Sequence, residues 1–248
     1  VYVPFRIPEA DLARWLQHCR SLGIRGLSVT IPHKESVISR CNKVESVVRG
    51  IGAVNTMVFD QDGTVRGYNT DYRAAMDSLM NVMGIKADKP DTMKSVKALV
   101  LGAGGVSKAI AFGLAQKGAS VVVASRTKGR AKDLADAVNG RSIEWDLRHH
   151  FTPDVLINGT PVGMHPKMDV SPWEERYLQA NCVVFDTVYN PEQTLLVKQA
   201  RKAGCRVITG VDMFIRQAAL QFQLFTGEEA PTDLMRETLK RTIGPARY

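Results

Sequence analysis

The spacing of apolar residues divides the chain into a first third of mixed elements and a longer part in which strands and helices alternate. In the first third, apolar residues at helical spacing are followed by short β-rich runs and a second helical pattern. The predicted elements are a helix over 12–22 ended by Gly23, strands over 26–31, 53–60 and 64–69, and a helix opened by Asp71. Asp62-Gly63, between the last two strands, is typical of a hairpin turn.

From residue 97 onward, short apolar runs typical of buried strands alternate with helical patterns. The predicted strands are 97–101, 120–125, 154–158, 182–186 and 206–208, and the predicted helices are 107–116, 192–203, 211–226 and 232–242. Such alternation is typical of a parallel sheet covered by helices on both faces. The polar segment 84–95, which contains Pro90, is predicted to link two domains.

Composition narrows the class of protein without naming its function. The 248 residues are 44% hydrophobic and 23% charged, as expected for a globular protein with one large or two modest domains. No apolar run approaches the ~20 residues of a membrane-spanning helix, so no membrane association is expected. The net charge of +8 is scattered without a basic tract, which argues against nucleic-acid binding. It indicates either a basic solvated surface or the attraction of small anionic ligands to the site.

The cysteines indicate the compartment more than the chemistry. The chain has four, at positions 19, 41, 182 and 205, and no two of them form a CxxC pair. This spacing argues against a zinc site or a redox-active pair, so no metal is predicted. Free thiols are typical of a reducing compartment, which predicts a cytoplasmic location.

A glycine-rich loop joins the predicted strand 97–101 to an apolar helix. Its sequence, Gly102-Ala103-Gly104-Gly105-Val106-Ser107, departs from the GxGxxG fingerprint at the third position, where serine stands. Glycines let the backbone turn tightly and approach a pyrophosphate, and the helix N-terminus offers N–H groups to the phosphates. The flanking strand and helix, and a second strand at 120–125, favour a dinucleotide-binding loop over a purely structural turn. The predicted cofactor-binding residues here are Gly102, Ala103, Gly104, Gly105 and Val106.

The end of the second strand of this unit predicts which cofactor is bound. An acidic residue there would bind the ribose 2′-hydroxyl of NAD, but the segment Ser125-Arg126-Thr127-Lys128-Gly129-Arg130 holds no carboxylate. Guanidinium groups pair well with a 2′-phosphate, so NADP is the predicted cofactor. The predicted binding residues are Ser125, Arg126, Thr127 and Arg130. The alternative is that both arginines are solvated surface charges.

Six short motifs resemble the shikimate dehydrogenase family over nearly the whole chain. They are, in order, VTIPHK, GAVNT, GYNTD, GAGG, NGTPVGM and DTVYNP. The resemblance implies an α/β fold with an N-terminal substrate-binding domain over 1–83, a Rossmann NADP-binding domain over 84–210, and C-terminal helices over 211–248 that return to the first domain. The implied activity is reduction of 3-dehydroshikimate to shikimate with NADPH, in aromatic amino-acid biosynthesis.

The resemblance also implies Lys34 and Asp71 as the catalytic pair. Reduction of a ketone creates an alkoxide, and a cationic Lys34 could stabilise that charge and donate the proton while Asp71 orients it. Lys34 could instead be a surface lysine, and Asp71 could be a helix N-cap. By the same resemblance, Thr30, Asn55 and Gln217 bind substrate hydroxyls, Tyr189 lies near the substrate carboxylate, and Thr187 and Gly210 lie near the nicotinamide. His33 and His165 are interpreted as structural.

The sequence leaves two questions open: the start of the chain and the exact function within or outside this family. The family's first strand and its Ser-x-Ser loop, which holds the substrate carboxylate, have no counterpart before Val1. An upstream piece, a truncation, or a bifunctional polypeptide that also carries a dehydroquinate dehydratase would each account for this. The alternative functions are a quinate or quinate/shikimate dehydrogenase and a non-catalytic NADP-binding module. The expected partner is a small molecule, and the expected assembly is a monomer or a homodimer.

Overall fold

The computed structural model describes residues 1–86 and 91–243, which form two compact units. The first unit consists of Val1–Thr70 and Gln221–Glu229, and the second consists of the described residues of Asp71–Leu220 and those from Ala230 onward. These units are defined by contacts within the chain. The sequence instead predicts boundaries at 83/84 and 210/211, between a substrate-binding domain and an NADP-binding domain. These boundaries stay a prediction.

A four-stranded sheet forms the centre of the first unit. Its strands are β1 (Gly26–Ser28), β2 (Lys43–Val44), β3 (Thr56–Phe59) and β4 (Val65–Tyr68), in the order β1-β3-β4-β2. β3 and β4 form the antiparallel hairpin predicted from Asp62-Gly63, and β2 lies parallel to β4. Two short helices, α1 (Leu12–His18) and α2 (Ser46–Ile51), bury Leu12 and Val48 in the apolar core with Met57 and Phe59 of β3.

The second unit contains a parallel sheet of six strands. They are β5 (Lys97–Leu101), β6 (Ser120–Ser125), β7 (Arg141–Glu144), β8 (Val155–Asn158), β9 (Val183–Asp186) and β10 (Arg206–Ile208), in the order β10-β9-β8-β5-β6-β7. All neighbouring pairs are parallel. Strands β6 and β7 lie on one side of β5, and β8, β9 and β10 lie on the other side. This reversal of strand order beside β5 creates the switch point at which Rossmann sheets bind ligands.

Helices cover both faces of this sheet, as predicted. The helices that contribute buried residues to the two clusters beside the sheet are α3 (Thr70–Met83), α4 (Gly105–Gln116), α5 (Lys128–Ala137), α6 (Leu195–Lys202) and α7 (Gly210–Thr226). The last helix, α8 (Thr232–Ile243), buries none of its residues. Successive residues of β5 enter opposite cores: Val100 packs in one apolar cluster, and Leu99 and Leu101 pack in the other. Among the described residues, no helix combines the length and apolar character that a bilayer crossing requires.

Several sequence-based expectations differ from the structure. Strand β1 ends at Ser28 and not at residue 31, and the apolar pattern does not predict β2, α2 or α5. The apolar pattern does not predict strand β7, because its edge position leaves its residues exposed or half-buried and no apolar run marks it. The described part of segment 84–95 packs within the second unit instead of linking two units, because Met93 is fully buried in the core beside Leu79 of α3. Residues 87–90 of that segment, including Pro90, lie outside the described residues.

Candidate functional site

Thr30 and Lys34 lie in the loop that follows β1. The N–H of His33 donates to the carbonyl oxygen of Thr30 at 2.9 Å, and the carbonyl oxygen of Lys34 accepts from the N–H of Val54 at 2.8 Å. Thr30 is exposed and Lys34 is half-buried. The ring Nε2 of His33 lies 2.8 Å from the carbonyl oxygen of Ile7, in keeping with a structural role. The backbone bonds thus attach this loop to the segment before β3.

Asn55 is held in one orientation by buried partners. Its Oδ1 accepts from the N–H of Thr70 at 2.8 Å and from the hydroxyl of Thr56 at 2.9 Å. Its Nδ2 donates to the hydroxyl oxygen of Thr70 at 3.0 Å. Asn55 is only 2% exposed. The Nδ2 group carries a second N–H. The hydrogen bonds to Thr56 and Thr70 fix the direction in which that N–H points.

Gln221 is a buried polar residue that sequence reasoning missed. Its Nε2 donates to the carbonyl oxygen of Asn55 at 3.2 Å and to the hydroxyl oxygen of Thr56 at 2.9 Å. Its Oε1 accepts from the hydroxyl of Ser28 at 2.8 Å. Gln221 therefore ties β1 to β3 at Asn55. The available signal was its position four residues after Gln217 on one helix.

Asp71 is the second residue of α3 and is 6% exposed. Because the helix begins at Thr70, Asp71 lies in the first turn and is not the N-cap. A carboxylate there is stabilised by the positive end of the helix dipole. Lys34 belongs to the first unit and Asp71 to the second. Their action as a catalytic pair stays a prediction.

Tyr189 and Gln217, both predicted to bind substrate, contact the same residue of α7. The rings of Tyr189 and Phe214 have centroids 4.9 Å apart, and Nε2 of Gln217 donates to the carbonyl oxygen of Phe214 at 3.1 Å. Tyr189 is 40% exposed, and Gln217 is half-buried. The structure thus brings these two predicted residues to Phe214 of α7.

The glycine loop has the geometry of a phosphate cradle. Gly102 has φ +99°, a region that favours glycine, and a Cβ there would lie 2.9 Å from the carbonyl oxygen of Gly159. Gly104 is the N-cap of α4, and a Cβ there would project into open space. Gly105 and Val106 form the first turn of α4, while Ala103 is buried beside them. The open space beside the helix N-terminus fits a pyrophosphate.

Two arginines stand beyond the end of β6, as predicted. Ser125 is half-buried and accepts from the N–H of Thr127 at 3.4 Å, while Arg126, Thr127 and Arg130 are exposed. The neighbouring Lys128 is paired with Glu144 at 2.6 Å. Within the described ranges, neither Arg126 nor Arg130 takes part in an ion pair. The donor set therefore suits a phosphate at this position.

The loops after β8 and β9 meet at the carboxyl edge of the parallel sheet. The hydroxyl of Thr187 donates to the carbonyl oxygen of Asn158 at 2.8 Å. Gly210 starts α7, and a Cβ there would overlap the carbonyl group of Val188. Asp186 at the end of β9 is fully buried, and burial raises the pKa of its carboxyl to about 6 although three hydrogen bonds oppose the shift.

Family models match three parts of the chain. Residues 1–57 match the shikimate dehydrogenase substrate binding domain, residues 85–154 match shikimate / quinate 5-dehydrogenase, and residues 210–240 match the shikimate 5′-dehydrogenase C-terminal domain. The motifs VTIPHK and GAVNT lie within the first match and GAGG lies within the second, in the same order as along the chain.

Curated relatives cover nearly the full chain. A shikimate dehydrogenase (NADP(+)) of Methanothermobacter thermautotrophicus is 37% identical over 98% of this chain and 86% of its own length. A chloroplastic bifunctional 3-dehydroquinate dehydratase/shikimate dehydrogenase of Arabidopsis thaliana is 38% identical over 90% of this chain and 39% of its own length. The chain is thus similar to single-function enzymes and to one part of a bifunctional enzyme.

Solved structures have the same fold. A shikimate 5-dehydrogenase of Thermus thermophilus, in complex with NADP(H) and shikimate, has a TM-score of 0.80 at 32% identity and covers 95% of this chain and 85% of its own. A quinate dehydrogenase of Corynebacterium glutamicum, in complex with NAD, has a TM-score of 0.83 at 32% identity and covers 96% and 85%. The predicted fold and family are confirmed: the chain belongs to the shikimate dehydrogenase family.

Proposed function

We propose that this chain catalyses the reversible, NADPH-dependent reduction of 3-dehydroshikimate to shikimate. One observation carries the proposal: a chain of this family keeps the open cradle at Gly104 together with the Lys34 and Asp71 side chains. Its relatives are named as NADP(+)-dependent shikimate dehydrogenases, and a solved relative binds NADP(H) and shikimate. Two arginines without an ion pair in the described ranges, Arg126 and Arg130, support NADP as the cofactor.

The chain's own residues supply binding and proton transfer. Bound NADPH supplies a hydride to the ketone carbon of the substrate. Lys34 stabilises the negative charge that develops on the ketone oxygen and donates the proton that this oxygen gains. Asp71, in the first turn of α3, accepts a hydrogen bond from a substrate hydroxyl and orients the reacting groups. Asn55 binds a second hydroxyl in the direction set by Thr70.

Further contacts with the substrate and the cofactor are assigned to the remaining predicted residues. Thr30 and Gln217 bind hydroxyl groups, and Tyr189 lies near the substrate carboxylate. Thr187 and Gly210 lie near the nicotinamide. We place the enzyme in the cytoplasm, because all four cysteines are free thiols. It acts there on a small molecule, as a monomer or a homodimer.

Oxidation of quinate is the second candidate function. One matching family model includes quinate dehydrogenases, and the quinate dehydrogenase of Corynebacterium glutamicum, solved with NAD, has a TM-score of 0.83 to this chain. The segment after β6 argues against an enzyme that uses NAD alone, because it carries Arg126 and Arg130 and no carboxylate. Shikimate is favoured as the substrate because the NADP(+)-dependent relatives are named as shikimate dehydrogenases.

An assay of NADP reduction separates these functions. Purified protein is mixed with shikimate or quinate and with NADP or NAD, and absorbance of the reduced nicotinamide is followed. We expect the highest kcat/KM for shikimate with NADP. A higher kcat/KM for quinate would favour the second candidate. Binding of NADPH without turnover of either substrate would instead indicate a non-catalytic NADP-binding module.

A further inference from the structure

One buried polar network joins the loops that follow β8 and β9, and Asp186 stands at its centre. We propose that Asp186 is a positioning residue that acts through Asn158 to hold the loop 159–162 and Thr187 in the geometry that binds NADP. The inference rests on the proposed function, since it refers to the cofactor of that reaction. It assigns a task to a carboxylate that the mechanism above does not use.

Asp186 and Asn158 are register partners at the ends of adjacent parallel strands, and both are fully buried. The Oδ1 of Asp186 accepts from Nδ2 of Asn158 and from the N–H of Val188, each at 3.0 Å. Its Oδ2 accepts from the hydroxyl of Thr194 at 2.6 Å. The hydroxyl oxygen of Thr194 in turn accepts from the N–H of Val197 and caps α6. The carboxylate therefore binds three donors from three parts of the chain.

The carboxylate selects one of the two orientations of the Asn158 amide. An ionised carboxylate can only accept hydrogen bonds, so the Nδ2 group of Asn158 must face Asp186. The Oδ1 of Asn158 then faces Thr160, where it accepts from the N–H at 3.1 Å and from the hydroxyl at 2.6 Å. The second N–H of Nδ2 donates to the carbonyl oxygen of Val162 at 3.1 Å. If the Asn158 amide were rotated by 180°, its Nδ2 donor would face the N–H and hydroxyl donors of Thr160.

The same network reaches both loops at the carboxyl edge of the sheet. The carbonyl oxygen of Asn158 accepts from the N–H and the hydroxyl of Thr187, at 3.0 and 2.8 Å. The hydroxyl oxygen of Thr160 accepts from the N–H of Val162 at 3.2 Å. A buried network whose members are satisfied specifies a single arrangement. Cofactors bind at this edge of Rossmann sheets, so the orientation of Asn158 sets the shape of the surface that receives one.

Stability alone does not explain a carboxylate here. The three groups that bond Asp186 are an amide, a backbone N–H and a hydroxyl, and none of them carries a positive charge. A buried charge is costly without such a partner, and burial raises the pKa of Asp186 to about 6. A neutral side chain of similar volume would avoid this cost. When it is ionised, the carboxylate can only accept hydrogen bonds, so it excludes the other orientation of the Asn158 amide.

Four variants separate positioning from structural support. Asp186→Ala and Asn158→Ala each remove the side-chain hydrogen bond between these two residues and leave the backbone pairing of β8 and β9 in place. Asp186→Asn restores an acceptor toward Asn158 and Val188. Thr194→Val is the matched control, because it removes another bond of Asp186 and the cap of α6 while it leaves the Asp186–Asn158 bond intact. For each protein, the Kd of NADPH is measured by fluorescence titration, Tm by thermal unfolding, and kcat and KM with shikimate.

We expect Asp186→Ala to weaken NADPH binding about 10-fold or more and to lower kcat, with KM for shikimate changed less than about 2-fold. Asp186→Asn should recover most of the affinity. Thr194→Val should lower Tm by about 2–4 °C with an almost unchanged Kd for NADPH. If Asp186→Ala does not fold, Asn158→Ala gives the same comparison.

Unchanged NADPH affinity in the folded alanine variants would overturn the inference, and so would an equal loss of affinity in Thr194→Val. Failure of the wild-type protein to turn over shikimate would instead refute the proposed function. The NADPH titrations would still decide the role of Asp186 in that case.

Discussion

The hydroxyl group of Ser107 donates a hydrogen bond of 3.3 Å to the backbone carbonyl oxygen of Gly159. Ser107 stands where the dinucleotide-binding fingerprint has its third glycine, whose usual role is close packing of helix against strand. In this protein Gly159 supplies the missing space, because a Cβ there would overlap the Ser107 hydroxyl and lie 3.2 Å from the carbonyl oxygen of Leu101. The departure from the fingerprint is thus compensated from the loop after β8.

Gly159→Ala should lower the free energy of unfolding by about 1–3 kcal/mol, because the new methyl group collides with Ser107. The double variant Ser107→Gly/Gly159→Ala should be more stable than the sum of the two single changes predicts, since the collision is removed. Urea unfolding of the four proteins measures the coupling. Strictly additive effects would contradict the compensation.

The open space at Gly104 predicts a change that affects binding and not folding. Gly104 has an ordinary φ of −84°, so alanine is tolerated there, but its methyl group would occupy the space assigned to the pyrophosphate. We expect Gly104→Ala to weaken NADPH binding at least about 10-fold and to shift Tm by less than about 2 °C. Fluorescence titration and thermal unfolding measure the two effects.

Gly102→Ala is the matched comparison for Gly104→Ala. Its φ of +99° strains any side chain, so this variant should lose about 1–3 kcal/mol of stability. Tight NADPH binding by Gly104→Ala would argue against the assigned cradle.

Arg126 is predicted to bind the 2′-phosphate of NADP. Arg126→Ala should raise KM for NADP about 10- to 100-fold, the effect of losing a charge-assisted hydrogen bond, and should change KM for NAD little. Lys132→Ala on the adjoining helix is the control, because this lysine is paired with Asp136. Equal effects of Arg126→Ala on the two cofactors would identify Arg126 as an ordinary surface charge.

Removal of Lys34 should abolish proton donation while the cofactor still binds. We expect Lys34→Ala to lower kcat with shikimate by about 10²–10⁴-fold, the range for loss of general acid–base catalysis. The Kd for NADPH should stay within about 2-fold, since the predicted cofactor residues lie on other elements. Lys43→Ala, an exposed lysine of β2, is the control. Full turnover by Lys34→Ala would refute the assigned mechanism.

The buried carboxyl of Asp186 predicts how stability depends on pH. Its folded-state pKa of about 6 lies above the ordinary value of 3.8, so the folded state holds the proton more tightly than the unfolded state. The contribution of Asp186 to the free energy of unfolding is therefore largest below about pH 4 and falls as the pH rises toward 6. Above that pH the free energy of unfolding is lower by about 3 kcal/mol than below pH 4.

Asp186→Asn should remove this dependence. The difference in unfolding free energy between wild type and variant, measured in urea at pH 4, 5, 6 and 7.5, should shift in favour of the variant as the pH rises. A difference that is the same at all four pH values would show that burial does not raise the pKa of Asp186.

Much of the second unit could be predicted from the pattern of apolar residues. Four of its six strands are runs of mostly buried apolar residues, β10 is a short predicted strand, and Gly102 and Gly104 mark the loop after β5. Strand β7 was not predicted because it lies at the edge of the sheet, where its residues are exposed or half-buried and no apolar run is needed. Gln221 was not predicted because its position four residues after Gln217 does not show that it is buried, and its partners lie more than 160 positions earlier in the chain.

The sequence by itself determined the parallel α/β unit, the glycine loop and the cationic segment at Arg126, because periodicity, glycine spacing and charge are local properties of the chain. The tertiary structure decided which groups bond across strands. It paired Ser107 with Gly159, and it made Asp186 a buried carboxylate that orients Asn158. Such pairings depend on sheet register and on the distance between elements, and the spacing of neighbouring residues determines neither of them.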